Sequence, residues 1–207
     1  MELERALAGD TQDMLAVGEE LDALTHRQRV DVTRVLSRQL QAILYAKAAH
    51  QPPLLLDAFV PPGLAPFRVV NHVGTNNLAL ARAFTKALYR LPDGAIGGRN
   101  VQPFSWLTGH GYFTVRGSDD ASRGAVMIDY VALPKAVPQG WPLVVTNERF
   151  LSYFVYRGMK DYMRRVAQHV SVGRAVREGR DMPNYFVLVR EDACSEECAD
   201  VAPAQVA

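Results

Sequence analysis

Residues 51–66 contain five prolines, and this stretch constrains the fold of the chain more than any other segment. Proline lacks a backbone N–H group and fixes φ, so neither a helix interior nor a central strand tolerates so many prolines. We therefore expect a connector here, between a helical N-terminal region (residues 1–50) and a single domain formed by residues 67–192. Residues 193–207 are small and acidic, and we expect them to form a disordered tail.

The residues before this connector carry apolar side chains at helical spacing. A capping box formed by Thr25 and Gln28 precedes one apolar stripe that extends to Leu44. The pattern predicts a helix from Thr25 to Ala49 whose apolar stripe packs on the core. The alternative is that this stripe binds a partner protein or a second copy of the chain, which would make a homodimer.

The residues after the connector are mostly β-patterned. Alternating apolar and polar residues predict strands over residues 112–116 and 125–131, and residues 169–177 and 185–191 are expected to form a hairpin. The expected fold class is α+β, with an antiparallel, lipocalin-like barrel or a strongly curved sheet after the helical region.

Two segments of this domain are predicted to be helical. After a polar turn at residues 71–77, apolar residues that include Phe84 and Leu88 predict an amphipathic helix over residues 78–91. A second, short helix is expected over residues 158–166. Its basic residues are interrupted by Asp161, which indicates a solvated helix face rather than a surface that binds nucleic acid.

Charge and composition exclude several classes of function. The formal net charge is +1, too small for a general attraction to nucleic acid or to an anionic membrane. The longest apolar runs are too short to span a bilayer, and the first residues lack the apolar core of a secretory signal. Both cysteines, Cys194 and Cys198, lie in the tail, and the scattered histidines show no metal-ligand spacing. We therefore expect a cytoplasmic protein without a metal or other cofactor.

Two charged residues stand in rows that are otherwise apolar. Asp129 shares a strand face with Met127 and Val131. On an inward face it would be a buried carboxylate that needs a partner or a shifted pKa; on an outward face it would be an ordinary surface acid. Arg174 shares its face with three valines, so it needs an anionic partner if that face is inward, or a strand twist that brings it to water.

His110 is the one histidine flanked by glycine on both sides. Small neighbours allow a ligand or backbone to approach closely, and an imidazole there would titrate near neutral pH. The alternative is a solvent-facing histidine in a polar turn.

The C-terminal part of the domain resembles a known family. The sequences over residues 156–166 (YRGMKDYMRRV), 169–175 (HVSVGRA) and 184–190 (NYFVLVR) are similar to the C-terminal part of small lipocalin-like domains named for a Gly-x-Trp-x-x-x-Gly motif. Residues 94–100 and 107–113 are similar to the first barrel strands of that family. The resemblance implies a closed or nearly closed barrel of about eight strands that holds one small apolar ligand.

We therefore predict that this chain binds a small, largely apolar ligand inside a barrel, without deciding whether it is an enzyme. The residues expected to contact the ligand are Trp106, Tyr112, Met127, Tyr130, Phe154, Tyr156 and Arg174. One alternative is an isomerase, cyclase or decarboxylase that acts on a small carbonyl or phenolic compound, with His110 and Asp129 as the general acid/base pair. A second alternative is a protein-interaction module that uses the helix at residues 25–49.

Overall fold

A computed structural model describes residues 7, 13–76, 82–101, 110–144, 157–192 and 204–205. The chain begins with helices and short 3-10 turns and continues with strands. The helical elements are α1 (Asp13–Ala23), α2 (His26–Arg34), α3 (Arg38–Lys47), η1 (Ala48–His50) and η2 (Leu56–Ala58). No helix within the described ranges is long and apolar enough to cross a membrane.

Eight antiparallel strands form a closed barrel, which confirms the predicted fold class. In spatial order they are β1 (Val70–Asn76), β2 (Ala83–Arg90), β3 (Ile96–Val101), β4 (Tyr112–Gly117), β5 (Val126–Asp129), β7 (Met159–Arg165), β8 (Val170–Arg177) and β9 (Arg180–Arg190), and β9 pairs back onto β1. The short strands β6 (Ala136–Val137) and β10 (Ala204–Gln205) pair with each other outside the barrel. Within the predicted disordered tail, residues 204–205 are thus strand, and residues 193–203 and 206–207 lie outside the described ranges.

Strand register assigns each side chain to the inside or the outside of the barrel wall, because directly paired residues share a face. Lys86 pairs with His72 on one side and Asn100 on the other, and Ile128 pairs with Val115 and Asp161. These rows face inward. Most of their other members are apolar and buried together: Val70, Leu88, Ile96, Phe113, Val126, Met163, Phe186 and Leu188.

One end of the barrel is filled by the connector between the helices and β1. Leu54, Phe59 and Val60 join the interior cluster, each 4% exposed or less. Arg190 Nη1 donates to the carbonyl of Ala58 at 2.9 Å. We call this the plugged end; β1, β3 and β5 all run away from it toward the far end of the barrel.

The helical region packs on the outer face of β8 and β9. Leu44, Val30 and Leu36 are buried against apolar residues of those strands, so the apolar stripe contacts the core as predicted. The predicted single helix is, however, two helices: α2 ends before Val35, and Ser37 caps α3 by accepting a hydrogen bond from the Leu40 N–H at 3.2 Å. The Thr25–Gln28 capping box is present at the start of α2.

The helices also fasten the seam where β9 meets β1. The guanidinium of Arg29, buried in α2, pairs with Asp192 just after β9. His26 Nδ1 lies 3.2 Å from the carbonyl of Arg190 in the same strand. The outer faces of the first and last barrel strands are therefore held by one helical layer.

Three predicted local structures are wrong. Residues 71–76 form part of β1 rather than a turn, residues 83–90 form β2 rather than a helix, and residues 159–165 form β7 rather than a helix. Phe84 and Leu88, four residues apart, share a face in a helix and also in a strand. This spacing therefore does not discriminate between the two structures, and pairing with β1 and β3 decides for the strand.

Glycines inside the barrel allow aromatic rings of neighbouring strands to lie against the wall. A Cβ atom built on Gly98 would lie 2.5 Å from the ring of Phe113 and 2.8 Å from the carbonyl oxygen of Ala87. Gly74 and Gly173 make the same close approach to the rings of Phe84 and Phe186. Each ring thus fills space that a side chain would otherwise occupy.

We expect Gly98→Ala to lower the free energy of unfolding by about 1–3 kcal/mol, because the added methyl meets a backbone oxygen that cannot rotate away. The matched control is Gly117→Ala on β4, where an added Cβ meets nothing within 4 Å. This control should change stability by less than about 1 kcal/mol. Urea denaturation of both variants measures the difference, and equal effects would contradict the close approach at Gly98.

Candidate functional site

Lys86 points into the barrel and is 2% exposed. It occupies the inward row of β2, between Phe84 and Leu88. Its Nζ atom donates to Asn100 Oδ1 at 3.0 Å and to the hydroxyl of Tyr130, and it lies 3.5 Å from Asp161 Oδ2. The barrel thus brings together a cation, an anion, a phenol and an amide that are far apart in the chain.

The Tyr130 hydroxyl connects the other three groups. It accepts hydrogen bonds from Lys86 Nζ and from Asn100 Nδ2, the latter at 3.2 Å, and it donates to the Asp161 carboxylate. Every polar group of this network has a partner within it, as buried polar groups require. We call Lys86, Asn100, Tyr130 and Asp161 the polar cluster.

Four aromatic rings surround the Lys86 ammonium group. The Nζ atom lies 4.9 Å from the ring centroid of Phe113, 5.0 Å from that of Tyr130, and 5.5 Å from those of Phe84 and Phe186. Ring faces carry negative potential and attract a cation at such distances. Phe84 is the only half-buried ring of the four; the other three are buried.

Burial and pairing act in opposite directions on the two charges. Burial lowers the pKa of Lys86, and the nearby Asp161 carboxylate partly restores it. Burial likewise raises the pKa of Asp161, opposed by Lys86 and by the hydrogen bonds it accepts. The pair is neutral as a whole, and both groups are closer to exchanging a proton than they would be in water.

His72, on β1, lies beside Lys86 of the neighbouring strand β2 and faces the plugged end. Its Nε2–H donates to the carbonyl of Phe59 at 2.9 Å, and its ring stacks on the Phe59 ring at 5.6 Å. Burial lowers the pKa of His72 to about 3, so the imidazole is neutral at physiological pH. This histidine binds the plug to the wall.

Among the residues predicted to contact a ligand, Tyr130 lies in the interior. Trp106, Phe154 and Tyr156 lie outside the described residues. The remaining three, Tyr112, Met127 and Arg174, are on the outer face of the wall. The structure therefore does not bring the predicted set together inside the barrel.

The predicted interior positions of Met127 and Arg174 are wrong. Met127 packs in a small outer cluster with Tyr162 and Val176. Arg174 pairs with Asp181 at 2.9 Å and lies over the ring of Tyr185. The valine row of β8 is apolar because the helices cover it, so an outer row had the composition expected of an inner one.

His110 and Asp129, the predicted acid/base pair, both lie outside the barrel. Asp129 is buried, as one of the two alternatives required, but it lies on the outer face of the wall. There its carboxylate accepts hydrogen bonds from the Arg116 guanidinium and from the N–H of Val131, the latter at 2.9 Å. His110 packs edge-on against Tyr112, and burial, followed by the charge of Arg99, lowers its pKa. None of the contacts described joins the two side chains.

Tyr112 also has a structural role on the outer wall. Its hydroxyl donates a hydrogen bond to the carbonyl of Pro142 at 2.5 Å. The hydroxyl of Tyr89 donates in the same way to the carbonyl of Ala136 at 2.6 Å. Both bonds hold the segment Leu133–Val144 against β2, β3 and β4.

Lys86, Asn100 and Asp161 were missed by the sequence analysis. Lys86 stands between Phe84 and Leu88, and Asp161 between Met159 and Met163, in strand alternation. A charged residue between two apolar ones in a strand is the signal that singled out Asp129. The sequence predicts helices over both segments, and in a helix this alternation does not indicate a buried charge.

Two cavities lined by described residues lie away from the polar cluster. One of about 320 Å³ lies between residues 48–54 and the turn at residues 121–125, and another of about 500 Å³ lies on the outer face near Asp119 and Lys160.

We compared the chain with protein-family models, curated proteins and solved structures, and none of them matches it. Function is therefore inferred from the fold and from the chemistry of the residues.

We expect Lys86→Met to lower the free energy of unfolding by about 3–5 kcal/mol at neutral pH, because it leaves the Asp161 carboxylate buried without a cation. Adding Asp161→Leu should recover most of this loss. Lowering the pH should also narrow the difference in stability between the single variant and the unmodified protein, because the folded state of a carboxyl with a raised pKa binds a proton before the unfolded chain does. Denaturation across pH measures all three effects; a single variant as stable as the unmodified protein would contradict the pairing.

We expect stability to fall as the pH decreases from about 6.5 toward 3, in part because of His72. In this window the unfolded chain binds a proton at His72 that the folded protein excludes. This lowers the free energy of unfolding by up to about 1.4 kcal/mol per pH unit. His72→Gln keeps a donor for Phe59 and should flatten this slope. His50→Gln, at an exposed histidine, is the matched control. An unchanged slope in His72→Gln would show that His72 is not the cause.

Proposed function

We propose that this protein binds a small, largely apolar molecule with one neutral oxygen, a carbonyl or a hydroxyl, inside the barrel. The observation that carries the proposal is the polar cluster, which buries an ion pair in an interior that is mostly apolar. Transferring two charges from water costs several kcal/mol for each ion, and apolar residues of similar volume would stabilise a core as well or better. A role in ligand recognition accounts for groups that stability alone does not favour.

The charge balance of the cluster favours a neutral ligand over an anion. Asp161 already neutralises Lys86, so a ligand carboxylate would add an unpaired negative charge in a medium of low dielectric. A carbonyl or hydroxyl oxygen instead accepts a hydrogen bond from Lys86 Nζ or from the Tyr130 hydroxyl without changing the net charge. The oxygen of the ligand would take the place of one partner within the cluster.

Phe84 determines how a ligand reaches Lys86. Its ring is half-buried, lies against Gly74 and contacts the ring of Phe186 edge-on at 6.0 Å. It belongs to the start of β2, at the far end of the barrel. Rotation of this ring away from Lys86 Nζ would vacate a space of about one aromatic ring beside the ammonium group.

The resemblance to lipocalin-like domains supports the same function. It implies a barrel with one small apolar ligand inside, and residues 159–190 form the three barrel strands β7, β8 and β9. Membership of that family stays a prediction.

Three molecules of matched shape test the proposal. We expect 4-ethylacetophenone, a neutral ketone, to bind about fivefold more tightly than 1,4-diethylbenzene, since one buried hydrogen bond is worth about 1 kcal/mol. The carboxylate 4-ethylbenzoate should bind more weakly than the ketone. Isothermal titration calorimetry and ligand-dependent melting temperatures measure these affinities.

Two variants locate the site of binding. Lys86→Met with Asp161→Leu and Tyr130→Phe, which removes both proposed donors, should reduce ketone affinity to that of the hydrocarbon, whereas Lys135→Met at an exposed lysine should change neither affinity. Phe84→Ala should strengthen binding of all neutral probes, because no ring then needs to be displaced. Absence of binding by all three molecules would refute the proposed function, and a preference for benzoate would refute the neutral class.

A further inference from the structure

We infer that Lys86 forms a reversible covalent imine with an aldehyde ligand, with Asp161 as the counterion and Tyr130 as the proton carrier. This inference rests on the proposed function, because the aldehyde must first enter the barrel. It extends that function from hydrogen bonding to a chemical step at one named atom, Lys86 Nζ.

The choice of residue at position 86 supports a reactive amine. Only four of the 23 lysines and arginines of this chain are lysines: Lys47, Lys86, Lys135 and Lys160. Arginine is permanently charged and binds a carboxylate with two parallel hydrogen bonds, which suits a buried ion pair that only stabilises the fold. Arg29, which is buried and pairs with Asp192, shows that the chain uses arginine in that role. Lysine is the basic side chain that loses its proton when buried and then acts as a nucleophile.

The polar cluster supplies the groups that imine formation needs. Lys86 gives one proton to Asp161 through the Tyr130 hydroxyl, which touches both groups. The free amine attacks the carbonyl carbon and the carbonyl oxygen takes up a proton from Tyr130. The newly bonded nitrogen, now positively charged, gives one of its protons back to the Tyr130 oxygen, which leaves a neutral carbinolamine. Asp161 then returns its proton to the leaving hydroxyl, and water departs.

The products balance the reactants in atoms and charge. An ammonium group, a carboxylate and an aldehyde become an iminium group, the same carboxylate and one water molecule. The Asp161 carboxylate faces a cation before and after the reaction, so no unpaired charge is left in the interior. The four rings around Nζ continue to contact a cation on the nitrogen.

The aromatic surroundings favour an aldehyde over a ketone. Ring centroids lie 4.9–5.5 Å from Nζ on several sides, so little space is free around the nitrogen. The hydrogen atom on an aldehyde carbon fits where the second carbon substituent of a ketone would meet a ring. Ketones should therefore bind through their oxygen and stay unattached.

Reductive trapping of the unmodified protein tests the inference. The protein is incubated at neutral pH with 4-ethylbenzaldehyde and sodium cyanoborohydride, which converts an imine to a stable amine, and the modified lysines are identified by peptide mass spectrometry. We expect one ethylbenzyl group on Lys86, formed at least about tenfold faster than on exposed Lys135, because each unit by which a pKa falls gives tenfold more free amine. The unreactive 4-ethylbenzyl alcohol should slow labelling at Lys86 and leave Lys135 unaffected.

The outcomes separate this inference from the proposed function. If the alcohol and the ketone bind while Lys86 is labelled no faster than Lys135, the imine is refuted and ligand binding stands. If neither of them binds and Lys86 remains unlabelled, both are refuted. Labelling of Lys86 that the alcohol does not slow would show attack on an opened barrel and would also overturn the inference.

Discussion

The pairing of β9 with β1 is the interaction on which the rest of this structure depends. It joins residues from the two ends of the β region, and Gly74 and Leu188 lie opposite each other in the seam. Closure removes both edges of the sheet and separates an inside from an outside. On an open sheet, the Lys86 ammonium group would be hydrated, and its pairing with Asp161 would carry little energy.

The shape of the interior and its chemistry depend on the same residues. Phe84, Phe113 and Phe186 lie against glycines of adjacent strands, and the same three rings contact the Lys86 ammonium group. A larger residue at one of these glycines would therefore alter the packing and the electrostatic surroundings of the lysine together. The interior is a coupled unit of small residues, rings and one ion pair.

The antiparallel β region after the helices could be predicted from the sequence because alternation, turns and prolines are local signals, and the family resemblance implied its closure into a barrel. The inward side of each strand could not be predicted with the same success. The outer row of β8, with Val170 and Val172, is apolar because helices cover it, and composition does not distinguish this from an inner row. Lys86 and Asp161 became recognisable only once β2 and β7 were known to be strands, which long-range pairing decides. Tyr130 lies in the interior beside Ile128, whereas Met127 stands on the opposite face of the same segment, so the two residues cannot both line the interior as predicted.

The helical layer covers the seam between the first and last strands, and this has a consequence for the order of events during synthesis. Helices α1 to α3 leave the ribosome before the strands β8 and β9 that bury their apolar side chains, and six other barrel strands are translated in between. Such distant contacts make folding slow and leave apolar surface exposed in the nascent chain. The apolar faces of the helices therefore stay exposed to aggregation until β9 has been translated.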